Sequence, residues 1–293
     1  MFEDVKLRKR FVATNGVRLH VVEAGPEDGP PLVLLHGFPE FWFGWRHQIG
    51  PLAEAGFRLI VPDQRGYNLS ERPSKISDYR IDRLGLDVIG LLDALEIERA
   101  SVASHDWGAV VGWWLGIAHP ERLERLAIMN VPHPLVMRRF LKRSFAQIRR
   151  SWYVFFFQLP WLPEYWLSRR DFRIARLFLQ ASSPRGTFSR DDLMRYREAW
   201  DQPGGLKPML HWYRAALRRA PRVPGDARVR VPTLILWGTA DVALGREMVP
   251  PSAEFCDEAE VIYLEGVSHW VQHEANETVN RHLLEFFETS RVG

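Results

Sequence analysis

Short apolar runs alternate with longer helix-patterned segments in this chain, stop for a strand-free middle block, and then resume. Few architectures accommodate that order. Val17 to Glu23, Pro31 to Leu35 and Phe57 to Val61 read as strands, the second a continuous apolar run of the kind buried on both faces. Tyr79 to Leu95 carries Ile81, Leu84, Val88, Leu91, Leu92 and Leu95 at helical spacing. Ala100 to Ala103 is a short strand that runs at once into a helix pattern from Trp107 to Ala118, and Leu126 to Met129 is one more strand. After Pro224-Gly225, Thr233 to Trp237 and Glu260 to Leu264 are strands, and Val271 to Glu288 is a closing helix. This alternation implies an α/β fold: a mostly parallel sheet of about eight strands with helices on both faces. Residues 133–222, where Arg, Trp and Phe recur at helical spacing, read as an inserted helical cap, or lid. Residues 1–132 and 223–293 then form the core.

With 293 residues, 46% of them hydrophobic, the chain can bury such a sheet. A single cysteine, Cys256, rules out an internal disulfide and fits a reducing compartment. The apolar-rich stretch from Trp152 to Leu167 contains Gln158, Glu164 and two prolines, short of the roughly 20 apolar residues a membrane span needs. Met1 to Arg10 is charged with no apolar run behind it, so no secretory leader and a cytoplasmic location are expected. The charge is segregated: residues 133–222 hold 19 of the 39 Lys and Arg but only 6 of the 36 Asp and Glu. That excess reads first as a solvated helical face, with peripheral contact to an anionic membrane as the alternative. The aromatics of the block read as apolar sides of helices, not as a stacking platform, so no nucleic-acid partner is expected.

The sharpest local signal is Ala103-Ser104-His105-Asp106-Trp107-Gly108-Ala109, between a strand and a helix. It fits the small-x-nucleophile-x-small pattern of a nucleophile elbow, with aspartate in the nucleophile's place. Ser104 and Gly108 give the room a tight turn needs. Asp106 would project at the carboxyl edge of the sheet, where the helix N-terminus favours negative charge. The plainer alternative is an N-cap, worth about 1 kcal/mol.

Two later turns alter that balance. Leu236-Trp237-Gly238-Thr239-Ala240-Asp241 and Leu264-Glu265-Gly266-Val267-Ser268-His269 each end a strand in a glycine turn, one presenting Asp241 and the other His269. Nucleophile, acid and base come in the order Asp106, Asp241, His269, which resembles the chain order of the α/β-hydrolase fold. In that fold the loop after an early strand supplies one oxyanion N–H, here from Phe38 of His36-Gly37-Phe38-Pro39-Glu40. The residue after the nucleophile, Trp107, supplies the other. His36 itself reads as a buried histidine bracing the loop. No His, Cys, Asp or Glu spacing suggests a metal site and no glycine loop suggests a phosphate cofactor, so neither is expected.

An aspartate nucleophile narrows the chemistry. A carboxylate displaces at a saturated carbon bearing a good leaving group and becomes an alkyl ester of the enzyme. Water must then attack the carboxyl carbon of Asp106 with His269 as general base, oriented by Asp241. Epoxide opening and carbon–halogen cleavage both fit.

From about Lys6 to Phe287 the chain resembles the epoxide hydrolases of the α/β-hydrolase fold. The resemblance lies in His36-Gly37-Phe38-Pro39-Glu40, Asp63-Gln64-Arg65-Gly66-Tyr67, Ser104-His105-Asp106-Trp107-Gly108 and Gly266-Val267-Ser268-His269-Trp270. It implies a small hydrophobic epoxide and water as reactants, and two cap tyrosines holding the epoxide oxygen. The matching cap segments carry Tyr153, in Trp152-Tyr153-Val154-Phe155-Phe156-Phe157, and Tyr213, in Trp212-Tyr213-Arg214. A phenol with a pKa of about 10 can donate a proton to a departing alkoxide. Tyr165 and Tyr196 lack such a match and read as structural. Phe38, Trp107, Trp152, Phe155 and Phe156 are expected as apolar walls for the substrate.

Haloalkane dehalogenases share the aspartate–histidine logic but typically place Asn where this chain has Phe38; the Trp107 indole is the one foothold for that alternative. Fluoroacetate dehalogenases place an arginine directly after the nucleophile, where this chain has Trp107. A non-catalytic protein of the same fold, binding a ligand or surface through its basic cap, would have no need of the base His269. Oligomeric state is not legible in the sequence.

Overall fold

A computed structural model describes residues 5–288. The outer limits of the expected core, and residues 1–4 of the stretch read for a leader, lie outside the described residues. The eight strands are β1 (Arg8–Thr14), β2 (Val17–Ala24), β3 (Pro31–Leu35), β4 (Arg58–Pro62), β5 (Ala100–His105), β6 (Leu123–Met129), β7 (Thr233–Gly238) and β8 (Ala259–Leu264). They form one sheet in the order β1-β2-β4-β3-β5-β6-β7-β8. β1 pairs with β2, and β2 with β4, antiparallel. The pairings from β4 through β3, β5, β6 and β7 to β8 are parallel. The central strands are buried on both faces: Val33, Leu34, Val102, Ala127, Ile128 and Ile235 have no exposure. That is why their sequences read as unbroken apolar runs.

β1 is absent from the strands expected above, for a clear reason. It is an edge strand whose Lys9, Arg10, Phe11 and Ala13 are exposed, so it has no apolar run to read. Around the sheet lie α1 (Ile49–Glu54), α2 (Ile81–Ala94) and α3 (Trp107–Ala118). The expected strand-to-helix switch falls at Asp106. Between β6 and β7 come α4 (Pro134–Arg143), α5 (Phe145–Arg150), α6 (Trp152–Phe156), α7 (Leu162–Ala181), α8 (Arg190–Trp200) and α9 (Lys207–Arg218), with no strand among them. The backbone of α7 leaves helical geometry at Arg169–Phe172, where Arg170, Asp171 and Phe172 take positive φ. After β7 follow α10 (Val249–Ala253), α11 (Val271–Glu274) and α12 (Asn276–Glu288). The closing helix expected as one piece is thus broken at Ala275, whose φ of −116° and ψ of 41° leave the helical region.

The helical insert is seated on the sheet by buried polar anchors as well as by apolar packing. Trp200 Nε1 donates to the Pro39 carbonyl at 2.6 Å and Trp212 Nε1 to the Arg65 carbonyl at 3.0 Å. Tyr196 Oη donates to Glu40 at 2.7 Å, and Arg46 pairs with Asp192 at 3.1 Å. Each neutral bond contributes about 1 kcal/mol net, but leaving its buried partner empty costs more, so together they specify one seat.

Candidate active site

β5 reaches the carboxyl edge of the sheet at His105, α3 begins at Trp107, and Asp106 alone makes the turn. Its φ of 48° and ψ of −122° lie in a region that non-glycine residues rarely occupy. The turn is tight because its neighbours crowd it: a Cβ on Gly108 would stand 2.1 Å from the Leu35 carbonyl oxygen, and one on Gly37 2.3 Å from Asp106 Cβ. The Asp106 side chain does not cap α3. Its Oδ1 instead accepts from the Phe38 amide at 2.6 Å, which disposes of the N-cap alternative. Among the described residues, Phe38 gives the carboxylate its only backbone hydrogen bond. The second expected donor, the Trp107 amide, sits next to Asp106 at the start of α3.

His269 and Asp241 come to the same edge from the loops after β8 and β7. His269 Nε2 lies 3.5 Å from Asp106 Oδ2, and Nδ1 lies 2.7 Å from Asp241 Oδ2. Asp241 is fixed on every side. Its Oδ1 accepts from the amides of Ala243 and Leu244 at 2.7 and 2.9 Å, and its Oδ2 accepts from Asn130 Nδ2 at 2.7 Å. Burial works against both carboxylates ionising, but His269 and the surrounding donors outweigh it and hold both below the usual carboxylate range. Burial also works against a charged His269, yet Asp241 and Asp106 override it and raise its pKa to about 10. In this state His269 is a cation between two carboxylates.

Above these groups is a cavity of about 310 Å³ lined by Asp106, His269, Phe38, Trp152, Tyr153 and Tyr213, among others. The two expected tyrosines therefore share the cavity with the aspartate, although they come from α6 and α9. Their ring centroids are 6.1 Å apart. Burial first, and the negative charge of Asp106 second, push both phenols above their ordinary pKa, so both stay protonated. Arg214 ties the two segments together. Its guanidinium donates to the Phe157 and Leu159 carbonyls at 2.9 and 2.7 Å and pairs with Glu164 at 2.6 Å.

A second cavity of about 310 Å³ adjoins the first through Phe38, Trp152, Tyr153 and Phe178, and extends between Phe157, Leu167, Ile174 and Ala175. The expected walls need correction here. Phe38 and Trp152 line both cavities, but Phe155 and Phe156 line neither. Trp152, Tyr153 and, just past the end of α6, Phe157 line the cavities, and Phe155 and Phe156 are directed elsewhere. Phe155 is accordingly exposed, and Phe156 packs on Trp152 and Trp166. The ring of Trp107 also stays out of both cavities, wedged against Trp212 and Tyr213 at 5.8 and 4.8 Å. The Trp107 side chain hydrogen-bonds Tyr213, so the indole is engaged by one of the two cavity phenols.

His36 is fully buried and braces the Phe38 loop, as expected: its Nε2 accepts from the Gln64 amide at 3.0 Å. The sequence reading missed what lies behind the triad. Asn130, just past the end of β6, bridges Asp241 and the Gly238 amide. Glu40, fully buried, accepts from His273, Tyr196 and Gln272. Nearby, His105 Nε2 meets the His269 carbonyl oxygen at 2.8 Å. The available signals were an Asn directly after a strand end and a carboxylate in an otherwise apolar stretch, Phe38 to Trp45.

Comparison with known proteins agrees with this geometry. The profile of the alpha/beta hydrolase fold family matches residues 30–276. The chain is 44% identical to the AB hydrolase superfamily protein YfhM of Bacillus subtilis, over 95% of this chain and 97% of that protein. It is 36% identical to epoxide hydrolase 2 of Caenorhabditis elegans, over 94% of this chain and 79% of the relative. The crystal structure of Bacillus megaterium epoxide hydrolase in complex with an inhibitor superposes with a TM-score of 0.88 at 32% identity, covering 95% of this chain and all of that one. The chain belongs to the α/β-hydrolase fold family, among its epoxide hydrolases.

Proposed function

We propose that the chain converts a small hydrophobic epoxide and water to a vicinal diol through an alkyl ester on Asp106. The observation that carries this reading is the pair of phenols, Tyr153 and Tyr213, sharing one cavity with Asp106 and His269. The Phe38 amide holds Oδ1, which leaves Oδ2 to attack an epoxide carbon. As the carbon–oxygen bond breaks, its electron pair moves to the ring oxygen, which takes a hydrogen bond and then a proton from the tyrosines. Esterification removes the charge of Asp106, and with it one of the two carboxylates that keep His269 protonated. His269 gives up its proton through solvent to the tyrosinate left by ring opening, which restores the phenol; now neutral, His269 takes a proton from water as that water adds to the carboxyl carbon. The amides of Phe38 and Trp107 receive the oxyanion. Asp241 stabilises the returning imidazolium; collapse breaks the ester carbon–oxygen bond, the carboxyl proton passes to the departing alkoxide, and the diol and the Asp106 carboxylate are released.

In this reading residues 133–222 form a cap over a core of 1–132 and 223–293, and the substrate lies between them. The lone, buried Cys256 supports a reducing, cytoplasmic setting. A halide reading is not favoured: two phenols share the cavity with Asp106, and the Trp107 side chain is already engaged by Tyr213.

The double variant Tyr153→Phe/Tyr213→Phe tests this assignment. Losing both proton donors is expected to slow ester formation from styrene oxide by about 10³-fold or more, with the melting temperature nearly unchanged. An undiminished single-turnover rate would sink the leaving-group role.

The apolar second chamber suits a bulky hydrophobic substituent. Ala175 lines it and is 2% exposed. Ala175→Phe is expected to lower kcat/KM for an aryl glycidyl ether by about tenfold, the cost of displacing one or two buried methylenes' worth of contact. Propylene oxide should be hydrolysed as before. Equal losses for both substrates would place the substituent elsewhere.

A further inference from the structure

The exposed surface of the insert between residues 138 and 170 lies outside the catalytic groups. Arg138, Arg139, Lys142, Arg143, Arg169 and Arg170 are exposed there, and among the described residues none of them forms a salt bridge. Glu164, the single carboxylate between residues 134 and 170, turns inward onto Arg214. Among these cations stand apolar side chains that a water-facing surface normally hides: Phe145 is 81% exposed and Trp161 71%, with Leu162, Tyr165 and Trp166 also open. The patch adjoins the cavities, because exposed Trp152 and Arg149 line the first and exposed Trp166 and Leu177 line the second.

We propose that this face docks on an anionic lipid bilayer, with its rings at headgroup depth and its arginines on the phosphates. Trp and Tyr favour that interface, and basic amphipathic helices lie in its plane. Arginine can bury its stem beside the rings while its guanidinium pairs with phosphate. No helix among the described residues is long and apolar enough to cross a membrane, so the contact is peripheral. A second copy of the chain would set cations against cations. Single-stranded nucleic acid could use the arginines and rings, but it gains nothing from exposed Leu159, Leu162 and Leu177. Docking would also turn the cavity openings towards the bilayer and admit a lipophilic substrate directly; that consequence alone rests on the epoxide reading.

Sedimentation of the whole chain with vesicles tests the proposal without reference to activity. Binding is expected to vesicles of equal parts phosphatidylcholine and phosphatidylglycerol, weakly or not at all to phosphatidylcholine alone, and to weaken as salt rises. Arg138→Glu/Arg139→Glu/Arg143→Glu should reduce partitioning by roughly a hundredfold or more, the equivalent of three lost headgroup contacts. Trp161→Ser/Tyr165→Ser should reduce it by about tenfold. Unchanged thermal melts would show that both variants fold. Wild-type protein left in the supernatant, equal binding to both vesicle types, or variants that bind as the parent does would overturn the proposal. So would retention on a single-stranded oligonucleotide in place of vesicles.

Discussion

Replacing Asp106 with glycine is expected to leave a folded protein with no measurable epoxide turnover, a loss on the order of 10⁴-fold or more. No other carboxylate can take over. Asp241, the nearest alternative, is 1% exposed behind His269, with both oxygens committed to Ala243, Leu244, Asn130 and His269. The stability outcome separates two roles for the residue. A helix cap would cost about 1 kcal/mol on removal. Here the side chain caps nothing, and the backbone holds a positive φ of 48° that glycine adopts without strain. Asp106→Gly should therefore melt at the parent's temperature or above it, the gain reflecting some of the roughly 1–3 kcal/mol stored in such a backbone. A variant that melts lower and stays active would return Asp106 to a structural role.

His269→Gln is the second large effect, and it should differ in kind. The first half-reaction needs Asp106, the Phe38 amide and the tyrosines, all of which the variant keeps, so one equivalent of epoxide should be consumed. Hydrolysis of the ester needs the base and should stall, with steady-state turnover down about 10³–10⁴-fold. Intact-mass measurement after exposure to styrene oxide should find the protein heavier by one substrate, and digestion should locate the addition on the peptide holding Asp106. The pH dependence follows from the same charges. In the resting state Asp241 and Asp106 raise His269 to about 10; in the ester only Asp241 remains charged. Breakdown of the ester by the parent enzyme should therefore titrate below that value, faster as pH rises and slower as His269 protonates. A breakdown rate that is flat from pH 5 to about 10 would speak against His269 as the base.

The parts of this site that could be read from the sequence share a physical property. Asp106, Asp241 and His269 each follow a strand and lie within three residues of a glycine: Gly108 and Gly238 permit close approach, and Gly266 takes a positive φ of 74°. Burial makes β7 an apolar run, β5 and β8 carry shorter apolar stretches, and the turns leave a short local signature. Glu40 shows the opposite case: its partners Tyr196, Gln272 and His273 lie far away in the chain, and a buried polar network has no periodicity. β1 was missed because an edge strand exposes most of its side chains. The break in α7 at Arg169–Phe172 lies in a run of charged and aromatic residues without glycine or proline. Phe155 and Phe156 were misjudged because the cap block identifies the segment, whereas the start of a five-residue helix decides which ring faces the cavity. Tyr153 and Tyr213, 60 residues apart, were brought together by their resemblance to known cap segments, not by any pattern in their own neighbourhoods.

Isotope transfer in a single turnover tests covalent capture most directly. With enzyme in excess over epoxide in ¹⁸O-water, the oxygen added to the diol should come from Asp106 and carry no label. The ¹⁸O should appear instead in the carboxylate of the peptide containing Asp106. A first-turnover diol that carries the label, with Asp106 unlabelled, would mean that water opens the ring directly and that no ester forms.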